Sequence, residues 1–224
     1  MMWTINPNVQ RLVLSALAPV IELLAPPRCG ICDCEGALLC QVCRDLWIPA
    51  QPEPVPATGL RAAAALGPYE GGLGAAIRTA KYGGVPGLAR ELGAALGPVI
   101  ARVTRNAPYQ ATLVPIPTDK SRVHERGFDH ALLMAESAGR ACGAPVAQLL
   151  VRTRPTAPLH AAHRDERAAI LNGAMTTAVA LTIPPAVVLI DDVRTSGATM
   201  REAARALHAS GVQWVAGVSV AYER

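Results

Sequence analysis

The segment Val187-Val188-Leu189-Ile190-Asp191-Asp192-Val193-Arg194-Thr195-Ser196-Gly197-Ala198-Thr199 sets two adjacent carboxylates at the end of an apolar run, followed by hydroxyls around a glycine. Four consecutive apolar residues suit a strand covered on both faces, and residues 200–210, with Ala203, Ala204 and Leu207, suit the helix that follows. The loop between them then lies at a helix N-terminus. There the unpaired N–H groups of 195–199, the positive end of the helix dipole and the hydroxyls of Thr195, Ser196 and Thr199 converge as a phosphate dianion requires. Gly197, with Ala198 beside it, lets the backbone approach closely. Asp191 and Asp192 repel a phosphate but accept hydroxyl hydrogen bonds, which are strong because they are charge-assisted. The segment therefore has the chemistry to hold both ends of a ribose 5-phosphate. A plain strand-to-helix turn capped by Asp, Ser or Thr is the alternative. A cap needs only one carboxylate, and burying an unpaired pair is costly.

Two further constellations carry chemistry. After the apolar run Leu113-Val114-Pro115-Ile116-Pro117 come Lys120, Arg122 and Arg126, three cations within seven residues. At a strand end they can neutralise a pyrophosphate; alone they would read as a solvated polar loop. Cys29-x-x-Cys32 and Cys40-x-x-Cys43, seven residues apart, read as a four-thiolate zinc site of the closed, structural type. Cys34, between the pairs, is an alternative ligand, and two disulfides are the competing reading in an oxidising compartment. Cys142 reads as a small buried hydrophobe. His160 and His163 lack a third ligand and read as solvated, and His124, His130 and His208 carry still less signal.

These groups need a scaffold. The chain has 224 residues, 51% of them hydrophobic, and a net charge of +4 without long basic runs. That argues against a protein built mainly to coat duplex DNA and leaves a phosphate-rich ligand compatible. Residues 9–25 are apolar but contain Arg11, Pro19 and Glu22, and fall short of the ~20 apolar residues a span requires. We read residues 1–28 as an N-terminal apolar helix, 29–48 as the zinc module, 49–59 as a Pro-rich linker and 60–224 as the main domain. Within it, strands are expected at 62–66, 112–116, 146–151, 187–190 and 214–220, and helices at 72–81, 89–103 and 129–142. Such alternation indicates an α/β fold with a mainly parallel sheet, whose ligands sit beyond the carboxyl ends of the strands.

The 187–199 segment resembles the fingerprint of type I phosphoribosyltransferases, in which two acidic residues and a T-[ST]-G-x-T loop hold phosphoribosyl pyrophosphate (PRPP). VPIP, the basic stretch and ERGFDHA resemble the VPVP and RERGFNQA elements of the ComF (GntX-like) family of competence-associated proteins. Lys81-Tyr82-Gly83-Gly84 is similar to that family's KYxG element, and the cysteine pairs after a short apolar helix match its zinc module. The resemblance implies a phosphoribosyltransferase domain that binds PRPP with Mg²⁺ through Asp191, Asp192, the 194–199 loop, Lys120, Arg122, Arg126 and Lys81, transferring phosphoribosyl to an acceptor the sequence does not name and releasing pyrophosphate. Asp191 and Asp192 would act mostly through water-mediated bonds to the cation, and Asp192 would also assist proton removal from the acceptor. The alternative is a non-catalytic PRPP- or nucleotide-binding protein that assists uptake of single-stranded DNA with competence-machinery proteins. Either implies a cytoplasmic protein with no membrane span. In residues 152–175, which resemble the flap over PRPP, Arg152, Thr156 and Arg167 follow the family pattern. Pro158, Ile170 and Met175 stand where Gln, Asn and Phe are usual.

Overall fold

The computed structural model describes residues 26–46, 53–55, 59–154, 170–178 and 182–223. The N-terminal apolar stretch 9–25 and most of the expected flap, 155–169 with His160 and His163, lie outside the described residues. The strands are β1 (Glu53–Val55), β2 (Leu60–Pro68), β3 (Thr112–Pro115), β4 (Leu150–Arg152), β5 (Met175–Thr177), β6 (Ala186–Arg194) and β7 (Trp214–Tyr222). The helices are α1 (Gln41–Asp45), α2 (Gly71–Tyr82), α3 (Pro86–Ala95), α4 (Gly97–Val103), α5 (Lys120–Arg126), α6 (His130–Cys142) and α7 (Ala198–Ala209).

Five strands form one sheet in the order β1-β2-β7-β6-β3, in which β2, β7, β6 and β3 run parallel and β1 lies antiparallel on the edge. The mainly parallel α/β architecture expected from the sequence is thus present. The register aligns Pro115 with Ile190 and both Arg194 and Pro68 with Tyr222, so four parallel strands end at one rim. Alternation along β6 sends Val188 and Ile190 into one apolar cluster and Val187 and Leu189 into another. The first cluster packs α2, α3, α4 and α6 on one face of the sheet, and the second packs α7 with β4 and β5 on the other.

Four differences from the sequence reading have physical causes. The stretch 49–59 is not linker throughout, since Glu53–Val55 forms the edge strand, where Pro54 is tolerated because one side of an edge makes no ladder bonds. The single helix expected over 89–103 is two, because Pro98 lacks an N–H and its ring clashes with the carbonyl four residues back, so the chain restarts at Gly97. The expected strand at 146–151 shrinks to β4 plus one isolated parallel bridge from Val146 to Leu113. β4 pairs antiparallel with the unforeseen β5, Arg152 opposite Met175.

Residues 26–46 do not stand apart. Cys29, Leu39 and Cys43 are buried in the same cluster as α2 and α3, and Arg44 of α1 forms an ion pair with Glu91 of α3. Among the described residues no helix is long and apolar enough to cross a membrane.

Candidate functional site

A cleft of about 510 Å³ opens where β3 and β6 end. Asp191 and Asp192 lie within β6, which continues to Arg194, so the strand does not stop at the carboxylates as the sequence suggests. Because consecutive strand residues face opposite ways, Asp192 continues the Val188/Ile190 face, under α2 and α6, and Asp191 continues the other. Both line the cleft.

The two carboxylates have different surroundings. Asp192 Oδ2 lies 2.7 Å from Lys81 Nζ and 2.5 Å from His130 Nε2. Burial alone would raise its pKa, but the Lys81 ammonium and the His130 hydrogen bond outweigh burial and hold the carboxyl well below the usual carboxylate range. Lys81 is correspondingly raised: burial opposes its charge, and Asp192 more than offsets it. Asp191 accepts the Asp192 backbone N–H at 2.9 Å. Burial, then the neighbouring charge of Asp192, push it up to about 7, against the pull of Lys81. The pair is therefore one committed anion beside one carboxyl poised near neutrality.

Thr195 and Thr199 line the same cleft. Between them Gly197 adopts φ 72° and serves as N-cap of α7, and Ser196 Oγ accepts from the Ala198 N–H at 3.4 Å. A glycine is required there because a Cβ strains that left-handed conformation. The first-turn N–H groups of α7, which have no intrahelical acceptor, thus open beside the two threonines. Arg194 leaves the strand toward the Tyr222 ring, its guanidinium carbon 5.9 Å from the centroid.

The basic segment read as a loop is helix α5. Asp119 caps it, accepting from Ser121 N at 2.9 Å and Ser121 Oγ at 2.8 Å, and Gly127 closes it at φ 77°. Helical spacing explains which cations reach the cleft. Arg122 and Arg126, four apart, share the face that lines it, whereas Lys120, two residues from Arg122, does not line it. Arg126 also lies over the Tyr82 ring, 5.2 Å from its centroid. Arg152 of β4 joins them, its Nε donating to Pro117 O at 2.8 Å.

His130, passed over in the sequence, is central. It is the first residue of α6, whose cap Asp129 accepts from the N–H groups of Ala131 and Leu132 and from the Thr118 hydroxyl. Its buried ring spans Asp192 and Arg126, with Nδ1 3.0 Å from Arg126 Nη1. Its sequence signals were its place just after a capping aspartate and within the ERGFDHA element. By contrast His208 bonds the carbonyls of Val212 and Gly59 at 2.8 Å each and ties α7 to the turns around it.

The expected flap is anchored at both ends. Thr153 N donates to Ala174 O, Arg154 donates to the carbonyls of Ile170 and Asn172, and the Glu202 carboxylate on α7 takes the Met175 N–H while binding Arg205. Met175, where the family carries Phe, fills the core at 1% exposure.

The cysteine module forms a four-thiol group able to hold a metal such as zinc, and Cys34, the alternative ligand of the sequence reading, belongs to it. The Sγ atoms of Cys29, Cys32, Cys34 and Cys40 lie within 4.8 Å of one another. Cys34 is brought in because the turn after Cys32 folds back, its carbonyl accepting from Cys29 N at 2.8 Å and Arg28 bridging to Glu35. Cys43 sits on the inward face of α1 and is buried in the core, with its thiol hydrogen-bonded to the cluster. Burial opposes ionisation of Cys29, yet the N–H groups of Cys40, Cys32 and Ile31 lower it to about 6, favouring the thiolate a metal needs. Cys34 is pushed up to about 12 by its hydrogen bonds to Cys32 and Cys40. Cys142 packs partly buried against the core, as expected.

Comparison of the chain with family models and with curated proteins gave no match.

Proposed function

We propose that the protein is a PRPP-binding, phosphoribosyltransferase-like member of the ComF family that transfers a phosphoribosyl group to an acceptor and releases pyrophosphate. The observation that carries this reading is the convergence, in one cleft at the strand ends, of a carboxylate pair, Thr195 and Thr199, and Arg122, Arg126 and Arg152. Asp191 and Asp192 accept the ribose hydroxyls, the 195–199 turn with the α7 N-terminus takes the 5-phosphate, and the arginines take the pyrophosphate. In the reaction the C1–O bond to pyrophosphate breaks with its electron pair on the leaving group, and the acceptor forms the new bond to C1. The arginines stabilise the charge that grows on pyrophosphate. The proton lost by the acceptor goes to Asp191, whose raised pKa suits a base near neutral pH.

Two adjacent carboxylates, one already paired through Oδ2, suit contact with a hydrated Mg²⁺ better than full coordination of it. Bound with PRPP, the cation neutralises pyrophosphate charge. The thiol cluster holds zinc as a structural metal that fixes residues 29–40 against α2 and α3.

Titration calorimetry of PRPP with Mg²⁺ into the zinc-loaded protein, repeated with Asp191→Ala/Asp192→Ala, tests the site. Binding lost in the variant supports it and justifies screening acceptors for pyrophosphate release. PRPP that binds without turnover, together with salt-sensitive affinity for single-stranded DNA, favours the competence reading, and no binding by the wild type removes the proposal.

A further inference from the structure

The chain Arg126–His130–Asp192 has only one consistent protonation pattern. A guanidinium carries donors and no acceptor, so the 3.0 Å contact between Arg126 Nη1 and His130 Nδ1 requires Nδ1 to be the acceptor. An imidazole that accepts at Nδ1 is neutral with its proton on Nε2. That proton points at Asp192 Oδ2, 2.5 Å away. Each contact along the chain then pairs a donor with an acceptor, buried at Asp192 and half-buried at Arg126, where an unmatched group is costly. The alternative tautomer would set Nδ1–H against the guanidinium and a bare Nε2 against a carboxylate oxygen, and the imidazolium would still oppose a proton to Arg126.

We propose that His130, held as the Nε2–H tautomer, is a positioning residue that joins the two halves of the cleft, fixing Arg126 on the pyrophosphate side and Asp192 on the ribose side. The inference rests on reading the cleft as a PRPP site. The geometry gives His130 access to both halves. It opens α6 directly behind the capping Asp129, which the Thr118 hydroxyl of the β3–α5 connection also holds. α5 is only seven residues long and carries no buried residue, so its orientation over the cleft depends on such polar ties. Arg126 is clamped between the His130 ring nitrogen and the Tyr82 ring of α2. On the other side, Lys81 and His130 both take Oδ2 of Asp192, which commits that oxygen to the protein and reserves Oδ1 for a ribose hydroxyl. Loss of the imidazole, which itself lines the cleft, would free both ends at once.

Glutamine can replace the ring by chemistry, since its amide offers one acceptor and one donor, whereas alanine offers neither. The test has two parts. In ¹⁵N-labelled wild type without ligand, nitrogen–proton correlation spectra should place the unprotonated ring nitrogen of His130 at Nδ1. Two protonated nitrogens, or protonation at Nδ1, would overturn the tautomer. Separately, calorimetry with Mg²⁺ measures inorganic pyrophosphate and ribose 5-phosphate one at a time. We expect His130→Ala to weaken both by about tenfold or more, the cost of leaving buried partners unmatched, and His130→Gln to stay within about threefold of the wild type for both. Arg126→Met should weaken only pyrophosphate, and Asp192→Asn mainly ribose 5-phosphate. Loss of a single ligand's binding in His130→Ala, or no rescue by Gln in a variant that melts as the wild type does, would overturn the joining role. A wild type that binds neither ligand would overturn the reading of the cleft and the joining role with it, while the ring spectrum still decides the tautomer independently.

Discussion

Asp191→Asn should make the protein more stable at pH 8 while removing part of its ligand site. The folded pKa of Asp191 stands at about 7 against 3.8 for an unperturbed aspartate. A carboxyl whose folded pKa is raised holds its proton more tightly folded than unfolded. Folding is therefore unpenalised below the unfolded value of 3.8, and stability is lost progressively as pH rises from there through the folded pKa. Each unit is worth ~1.36 kcal/mol, so the roughly three-unit rise costs at most about 4 kcal/mol at pH 8. At pH 5 the folded carboxyl is still protonated and only the unfolded chain has ionised, which leaves a penalty of about 1.5 kcal/mol. Asparagine is neutral throughout and its Oδ1 can still accept the Asp192 N–H. Asp192, depressed in the folded state, stays ionised across this window in both proteins and drops out of the difference. The variant's advantage should thus be about 2.5 kcal/mol larger at pH 8 than at pH 5. Urea unfolding at both pH values, without added Mg²⁺, measures it. A gap that does not change with pH, or a variant less stable at pH 8, would show that Asp191 is ionised at no cost and would remove it as the proton acceptor.

Zinc removal by a strong chelator should lower the melting temperature, because metal binding and folding of residues 29–40 are linked. Metal content is expected at about one zinc per chain, and Cys34→Ser should weaken zinc at least about tenfold while Cys43→Ser retains it; the reverse order would restore Cys43 as the ligand. Gly93→Ala tests the packing beneath the site, since a Cβ there would sit 2.6 Å from Met134 Cα on α6. Backbone cannot yield as a side chain can, so a loss of about 3 kcal/mol in urea unfolding is expected, and a neutral variant would refute the close approach of α3 and α6.

The four parallel strands were legible because each is built around a largely apolar run, which burial on both faces explains, whereas the edge strand β1 was not. β6 and β7 sit where the sequence puts them, although both run longer than the apolar cores suggest. The carboxylate pair and the 195–199 turn were legible because chemistry and backbone requirement coincide in adjacent residues. α5 was missed although its punctuation was present, with Asp119 able to cap Ser121 and Gly127 able to end a helix, because its cations dominated the reading. β5 was illegible: three residues, Met175–Thr177, form a strand only because Glu202 and β4 supply the partners for their backbone. The partners of Asp192 could not be seen either. Lys81 and His130 are far apart in sequence from it, and nothing local in either signals that the fold brings them to one oxygen.

That convergence explains why two aspartates stand side by side where a structural turn would need one. Alternation along β6 sends them to opposite faces, so that Lys81 pairs directly with Asp192 and acts on Asp191 only through its charge, although the Asp192 N–H is bonded to the Asp191 carboxylate. The face bearing Asp192 is supplied with an ammonium and an imidazole, which make its charge permanent. Burial, and after it the charge thus fixed, keeps Asp191 from ionising freely. In the proposed reaction both carboxylates would accept hydroxyls and Asp191 alone would take a proton, a division that belongs to the pair and not to either aspartate alone. Neutralising Asp192 should therefore lower the pKa of Asp191, so that the pH dependence of any transfer reaction moves to lower pH in Asp192→Asn. A pH profile that keeps its position in that variant would separate the two carboxylates and refute the coupling.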